Sequence, residues 1–142
     1  MATHNLRVYG IIFNDKDEVL VSDEFRFGSA FTKFPGGGLE WGEGTQDCLA
    51  REIKEELSLK CVVGDLFYVN GFFQQSAFRK DNQLTSFYYF VNEIDISKVP
   101  ITNHIIPLTE EGENFRWISR TEICADQMTF PIDKKVADLL RF

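Results

Sequence analysis

Three kinds of feature are scarce in this chain. Cysteine occurs only at positions 48, 61 and 124, an odd count with no pair at CxxC spacing. A disulfide framework and a structural zinc site are therefore not expected, and the cysteines read as free thiols suited to a reducing cytoplasm. Positive charge is also short: 15 Lys and Arg stand against 22 Asp and Glu, for a formal net charge of −7. That balance argues against wrapping a nucleic-acid polymer, which needs a basic surplus. It still allows a phosphorylated small molecule, if a divalent metal supplies the positive charge. Long apolar runs are missing, and no basic region precedes a signal-type stretch. No membrane partner is expected, and the cytoplasm is the expected location.

The 142 residues, 44% of them hydrophobic and 14 of them Phe, are enough for a sizeable aromatic-rich core. We find no repeat, no low-complexity tract and no convincing linker, so one domain over residues 1–142 is expected. The stretch Pro100 to Gly112 reads as a loop inside that domain. Leu6 to Phe13 and Glu18 to Ser22, joined by the turn-like Asn14-Asp15-Lys16-Asp17, resemble a hairpin. Thr32 to Phe34 is short and β-like, and Pro35-Gly36-Gly37-Gly38 is expected to stop regular structure. The spacing of Leu49, Ile53 and Leu57 predicts a helix over Thr45 to Leu57, with Thr45 as its N-cap and Asp47 in its first turn. Two long β-rich segments follow, Asp65 to Phe78 and Gln83 to Ile94, with Arg79 to Asn82 as a hairpin loop. Phe115 to Ile118 reads as a short strand. Val136, Leu139 and Leu140 place a C-terminal helix over Lys134 to Arg141.

The chemistry concentrates in Gly36 to Leu59, GGGLEWGEGTQDCLAREIKEELSL. At about 100° per residue, Glu52, Glu55 and Glu56 share an arc of roughly 100° beside the apolar stripe. One side of the helix can then pack on a sheet while its neighbour presents three carboxylates. Like charges one turn apart destabilise a helix by about 0.2–0.5 kcal/mol per solvated pair, so something must offset them. Lys54 points the other way. Arg51 can bridge to one carboxylate. A hard divalent cation offsets them best, because Mg²⁺ and Mn²⁺ prefer carboxylate oxygen. The glycine run fits the same picture, since it lets backbone approach a ligand or metal closely.

This segment resembles the signature of the Nudix hydrolases, Gx5Ex7REUxEExGU with U aliphatic. Gly37 starts the match, then Glu43, Arg51-Glu52, Ile53, Glu55, Glu56 and Leu59 follow at the required spacing. Ser58 departs from it, standing where the family usually has glycine. That glycine ends the helix in a left-handed turn, so serine should cost on the order of 1 kcal/mol or the helix must end differently. Phe34-Pro35-Gly36-Gly37 ahead of the box, and Glu110-Glu111-Gly112-Glu113 ahead of Trp117-Ile118, extend the likeness over nearly the whole chain. The fold implied is α/β (α+β in some schemes), an α/β/α sandwich around a mixed β-sheet.

Several roles follow from the resemblance. Glu52, Glu55 and Glu56 match carboxylates that bind catalytic Mg²⁺ or Mn²⁺, and the Gly36 carbonyl matches a backbone ligand. Arg51 matches a residue that orients the glutamates, and Glu43 one that supports the loop. Glu111, six residues before Trp117, matches a further metal-cluster acid of MutT-type members. The implied reaction is attack of water on a diphosphate, with Glu52, Glu111 or Glu113 open as the base.

The substrate is less marked. Phe72-Phe73-Gln74-Gln75 offers Phe73 to stack on a base and Gln75 to hydrogen-bond it. Gln75 also stands where ADP-ribose enzymes of the family often carry proline. Asp133, after Phe130-Pro131, lies about where MutT-type members read the base. A nucleoside triphosphate is the first expectation, and ADP-ribose or a nucleoside diphosphate sugar the second. A non-catalytic sensing domain is the alternative of a different class, and pairing with a second copy is left open.

Overall fold

The computed structural model describes residues 1–141. Its elements run β1 (Thr3–Ile11), β2 (Glu18–Arg26), β3 (Ser29–Lys33), β4 (Gly36–Gly38), α1 (Thr45–Leu57), β5 (Val62–Val69), β6 (Asn82–Glu93), β7 (Gly112–Ser119) and α2 (Pro131–Leu140), with two 3₁₀ turns at Ile96–Lys98 and Ala125–Gln127. The described chain forms two compact units, one of residues 1–11 and 35–97, the other of residues 12–34 and 98–141. Among the described residues no helix is long and apolar enough to cross a membrane.

The first unit is built on a four-stranded mixed sheet in the order β4-β1-β6-β5. Strand β1 runs parallel to β6, from Thr3 opposite Asn82 to Ile11 opposite Phe90, and antiparallel to β4. Both edges of β1 are therefore paired, so the expected hairpin is confined to its turn end: Phe13 bridges Val19 antiparallel, Asn14 N–H donates to the Glu18 carbonyl at 3.0 Å and Leu20 N–H to the Ile12 carbonyl at 3.0 Å. The glycine run does not end regular structure either. It is strand β4, with Gly36, Gly37 and Gly38 opposite Tyr9, Val8 and Arg7. At position 36, where φ is +146°, a Cβ would overlap the Val8 carbonyl, so only glycine lets the ladder close there.

Helix α1 has the predicted bounds. Thirteen residues are too few to be helical alone in water, so packing must hold them. Cys48, Leu49, Ile53 and Leu57 are buried, and Gly10 on β1 brings the Leu49 and Ile53 side chains against the sheet. Each such aliphatic contributes about 1.5–3 kcal/mol when buried. The N-cap is Gly44 rather than Thr45, because the Asp47 carboxylate accepts the Gly44 N–H at 3.0 Å. Thr45 is already helical, and its hydroxyl pairs with the Tyr89 hydroxyl at 2.6 Å. Ser58 ends the helix in the left-handed region (φ 59°, ψ 31°), donating its N–H to the Lys54 carbonyl at 3.0 Å. Serine thus takes the glycine conformation. Strands β5 and β6 pair antiparallel as expected, but their connection is longer than a tight hairpin.

The second unit is a three-stranded antiparallel sheet, β3-β2-β7, with α2. Its core holds Val19, Leu20, Val21, Phe115, Ile118 and Ile123, with Ile132, Val136 and Leu140 of α2 buried at helical spacing. Pro131 opens α2, where its missing N–H costs nothing. Lys134 fixes α2 to the preceding 3₁₀ turn by donating to the carbonyls of Ala125 (3.1 Å) and Met128 (2.7 Å).

Candidate active site

In the first unit one guanidinium gathers four carboxylates. Arg51 sits on the second turn of α1, and the loop from β4 brings Glu40 and Glu43 back to it. Its Nε donates to Glu43 Oε2 at 3.0 Å and its Nη2 to Glu43 Oε1 at 2.6 Å, a two-pronged pair. Nη2 also donates to the Gly38 carbonyl at 3.0 Å. Nη1 reaches Glu52 Oε1 at 3.0 Å, Glu55 at 3.4 Å and Glu40 at 3.7 Å. The loop is braced internally as well, since the Glu40 N–H donates to Glu43 Oε1 at 2.9 Å.

The electrostatics follow from that geometry. The Arg51 bonds, then the Glu40 N–H, pull the Glu43 carboxyl down to about 2. Glu43 in turn holds Arg51 firmly protonated. Burial, reinforced by Glu43, pushes the Cys48 thiol up to about 12, so it is inert as a nucleophile. One cation cannot neutralise four acids. Arg7 is a second cation in the field of Glu52, while Lys54 is exposed.

Of the predicted residues, Arg51, Glu52 and Glu55 are brought together here, while Gly36 and Glu56 are neighbours in sequence of the residues that meet. The Glu52 carboxylate lies in the space a Cβ at Gly37 would take, so helix carboxylate and glycine backbone meet directly. Glu56 is half-buried, with one carboxylate oxygen fully buried. Glu55 is 58% exposed and touches Arg51 only at 3.4 Å. The donors are all oxygen, which suits a hard dication. Among the described residues, no three acidic, Cys or His side chains converge on one point.

Phe73 and Gln75 belong to the same unit but not to this cluster. Phe73 is exposed and lines a hollow of about 250 Å³ with Thr3, His4 and Lys80. That hollow is roughly 15 Å along β1 from the glycine run, at about 3.3 Å per residue. Gln75 donates its side-chain amide to the Lys80 carbonyl at 2.8 Å.

The second unit has its own polar network. Asp23 and Glu24 are buried on β2. Asp23 accepts two bonds from Arg116 (2.7 and 3.1 Å), one from Asn114 (3.0 Å) and one from Thr32 (2.7 Å). Glu24 accepts from Arg26 (2.9 Å) and Ser22 (3.0 Å) and pairs with Lys33 at 3.2 Å. Burial pushes both carboxyls up, but these partners outweigh it and hold both below their ordinary values. Glu111 is 67% exposed and lies 4.0 Å from Arg26. Glu113 lies 3.7 Å from Arg26, its carboxyl pushed up by burial and then by Glu24. Asp133 is buried in the first turn of α2. Sequence reading singled out neither Asp23, Glu24 nor Glu40. Two adjacent acids inside the otherwise apolar VLVSDEF were the available signal, since buried charge demands partners.

Comparison with known proteins agrees with this architecture. The NUDIX domain family matches residues 3–140. Comparison with curated proteins gives no match. Among solved structures, the E. coli ORF135 protein is similar at a TM-score of 0.71 and 19% identity, over 96% of this chain and 88% of that one. A MutT structure from work on the Aliivibrio salmonicida and Vibrio cholerae proteins is similar at 0.69 and 23%, over 98% of both chains. MutT from Methanosarcina mazei is similar at 0.68 and 19%, over 98% and 94%. These likenesses show the fold.

Proposed function

The chain belongs to the NUDIX domain family, hydrolases of diphosphate bonds, and from that premise we propose that it is a Mg²⁺-dependent pyrophosphohydrolase acting on nucleoside triphosphates. We further take residues 1–142 as one such domain, a reading supported by a family match that runs through both units. The observation that carries the proposal is the set of four carboxylates around Arg51, against the glycine strand.

Glu52, Glu55, Glu56 and the Gly36 carbonyl would hold the ion; Glu111, the sequence's candidate from outside the box, belongs to the other unit and lies 4.0 Å from Arg26. When bound, a dication neutralises phosphate charge and makes a water acidic enough to attack at neutral pH. Arg51 holds Glu52 and Glu43 in place, so the loop and the helix carboxylates keep one geometry. Glu55, exposed and weakly held, can swing from Arg51 to a ligand at little cost. Glu52 is the first candidate for accepting the proton of the attacking water.

Among the sequence-derived base readers, Phe73 keeps an accessible ring, while Gln75 is already bonded and Asp133 is buried. The three free cysteines suit a reducing cytoplasm. The test is a turnover screen across nucleoside triphosphates, dinucleoside polyphosphates, ADP-ribose and nucleotide sugars, with and without Mg²⁺ or Mn²⁺. Pyrophosphate release from triphosphates that disappears on chelation is expected. Ligand binding without turnover of any of them would establish a sensing domain instead.

A further inference from the structure

Trp41 is unexplained by the folding of this chain. It is the largest side chain type available, and it is 101% exposed. Burial would stabilise such an indole by about 2–3 kcal/mol, and here the fold leaves that stabilisation unused. Loose exposure at a floppy tip would be unremarkable, but this loop is not floppy. Leu39 donates its N–H to the Leu6 carbonyl at 2.9 Å. Glu40 and Glu43 lock to each other across Trp41, through the Glu40 N–H at 2.9 Å and the Glu43 N–H at 3.4 Å. The Glu43 carboxylate that braces the loop is itself held by Arg51 at 2.6 Å, with the exposed Glu40 carboxylate 3.7 Å away. Gly42 takes the left-handed conformation (φ +95°) that the tight return needs. The guanidinium that orders Glu52 and Glu55 therefore also fixes the backbone on both sides of Trp41.

We propose that Trp41 is the substrate-stacking residue of this site, packing its indole on the aromatic base of the diphosphate substrate and so favouring nucleotides over diphosphates without an aromatic group. The proposal rests on the hydrolase reading above. Its physical basis is preorganisation: an aromatic held on a braced loop stacks without further loss of backbone freedom. The surrounding negative charge suits a neutral base better than an anionic partner. Stacking is tolerant of base identity, so Trp41 would favour nucleotides as a class. Of the other exposed rings in this unit, Phe72, Phe73 and Phe78, Phe73 is the most exposed, and it lies at the far end of β1 from the acidic helix.

The test begins with the wild-type protein, a nucleoside triphosphate and inorganic tripolyphosphate as the aromatic-free ligand. Absence of turnover with every nucleotide refutes the hydrolase reading and this proposal with it, before any variant is made. With turnover in hand, Trp41→Ala should raise the nucleotide KM roughly tenfold to hundredfold. Its kcat should stay within about threefold, and the tripolyphosphate inhibition constant should not move. Trp41→Phe should recover most of the loss. An unchanged KM in Trp41→Ala overturns the proposal, as does an equal rise for tripolyphosphate, or loss of a dimer in sedimentation as the cause of weaker binding. The chain has two Trp, so Trp117→Phe leaves Trp41 as the sole tryptophan, read by excitation at the indole's red edge. Its emission should be quenched by nucleotide and not by tripolyphosphate. If Trp117→Phe does not fold, loss of quenching in Trp41→Phe against wild type reads the same thing. Unaltered emission at saturating nucleotide refutes stacking.

Discussion

Two acidic clusters stand in this molecule, and they are resolved in opposite ways. Around Asp23 and Glu24 each buried carboxylate has its own cation, Arg116 for one and Lys33 with Arg26 for the other, and neutral donors fill further lone pairs. That cluster is balanced, as burial requires. Around Arg51 a single guanidinium serves Glu40, Glu43, Glu52 and Glu55. That cluster is open, partly exposed and short of positive charge. The same residue types thus build a structural network in one unit and an unfinished one in the other. Charge left unbalanced by the protein is what a metal-bound phosphate substrate can complete.

The sharpest way to break the comparison is to neutralise one acid in each cluster. On the acidic helix, Glu55→Gln in the open cluster and Glu56→Gln one residue on should each cut Mg²⁺-dependent turnover by about a thousandfold, on the order of 4 kcal/mol of barrier. The fold should be kept, because removing like charge relieves the helix. Steady-state rates at saturating Mg²⁺ alongside thermal melts decide this, and wild-type rates would remove both residues from the site. In the balanced cluster the effect should fall on stability. Arg116→Ala leaves Asp23 buried without its cation, which should cost about 3 kcal/mol in denaturant unfolding. A loss below about 1 kcal/mol would mean that Asn114 and Thr32 suffice, and the cluster is not charge-balanced in the sense drawn here.

What the sequence revealed follows the range of the forces involved. Helix α1 was legible to the residue, because Leu49, Ile53 and Leu57 repeat at a local period and three glutamates fall beside them by the same arithmetic. The partners of β1 were not legible. Alternation reports which side chains face inward, but pairing with β6 joins residues about eighty apart, and the nearby β2 lost the competition because both edges of β1 were taken. The glycine run was read by propensity as a breaker, and β1 overrode that by supplying a ladder. In the site, the carboxylate arc was visible while the full partner set of Arg51 was not. Glu40 joins it only because the loop returns, and a loop's path is not periodic.

The two clusters should also separate with pH. Glu43 has its ordinary value of 4.5 lowered to about 2 by Arg51, so its stabilisation is complete above about 4.5 and lost as pH falls toward 2. Asp23 and Glu24 are lowered as well and lose their contributions in the same direction, below 3.8 and 4.5. Glu113 is raised, so its contribution has the opposite sign and fades as pH rises through its folded value. Melting temperature from pH 7 to 2 should therefore fall on the acid side. Glu43→Gln should make that fall shallower, and Glu113→Gln should make it slightly steeper, because Glu113 opposes it. A Glu43→Gln slope equal to wild type would show that Arg51 does not hold Glu43 in solution as it does here.

The smallest expected effect lies where α1 ends, between the carboxylates and the next strand. Ser58 is in the left-handed region at φ 59°, which costs a residue with a Cβ about 1 kcal/mol. Ser58→Gly removes that strain but gives the unfolded chain more freedom, which offsets part of the gain. A net stabilisation of about 0.5 kcal/mol is expected, with turnover unchanged because Ser58 is exposed and touches none of the carboxylates. Ser58→Ala should stay near wild type, since it keeps the Cβ and with it the strain. If glycine destabilises the protein instead, the serine hydroxyl contributes something the backbone geometry does not show. In that case the C-terminus of α1 would be set by its side chain, and the family's usual glycine would not be interchangeable with serine in this chain.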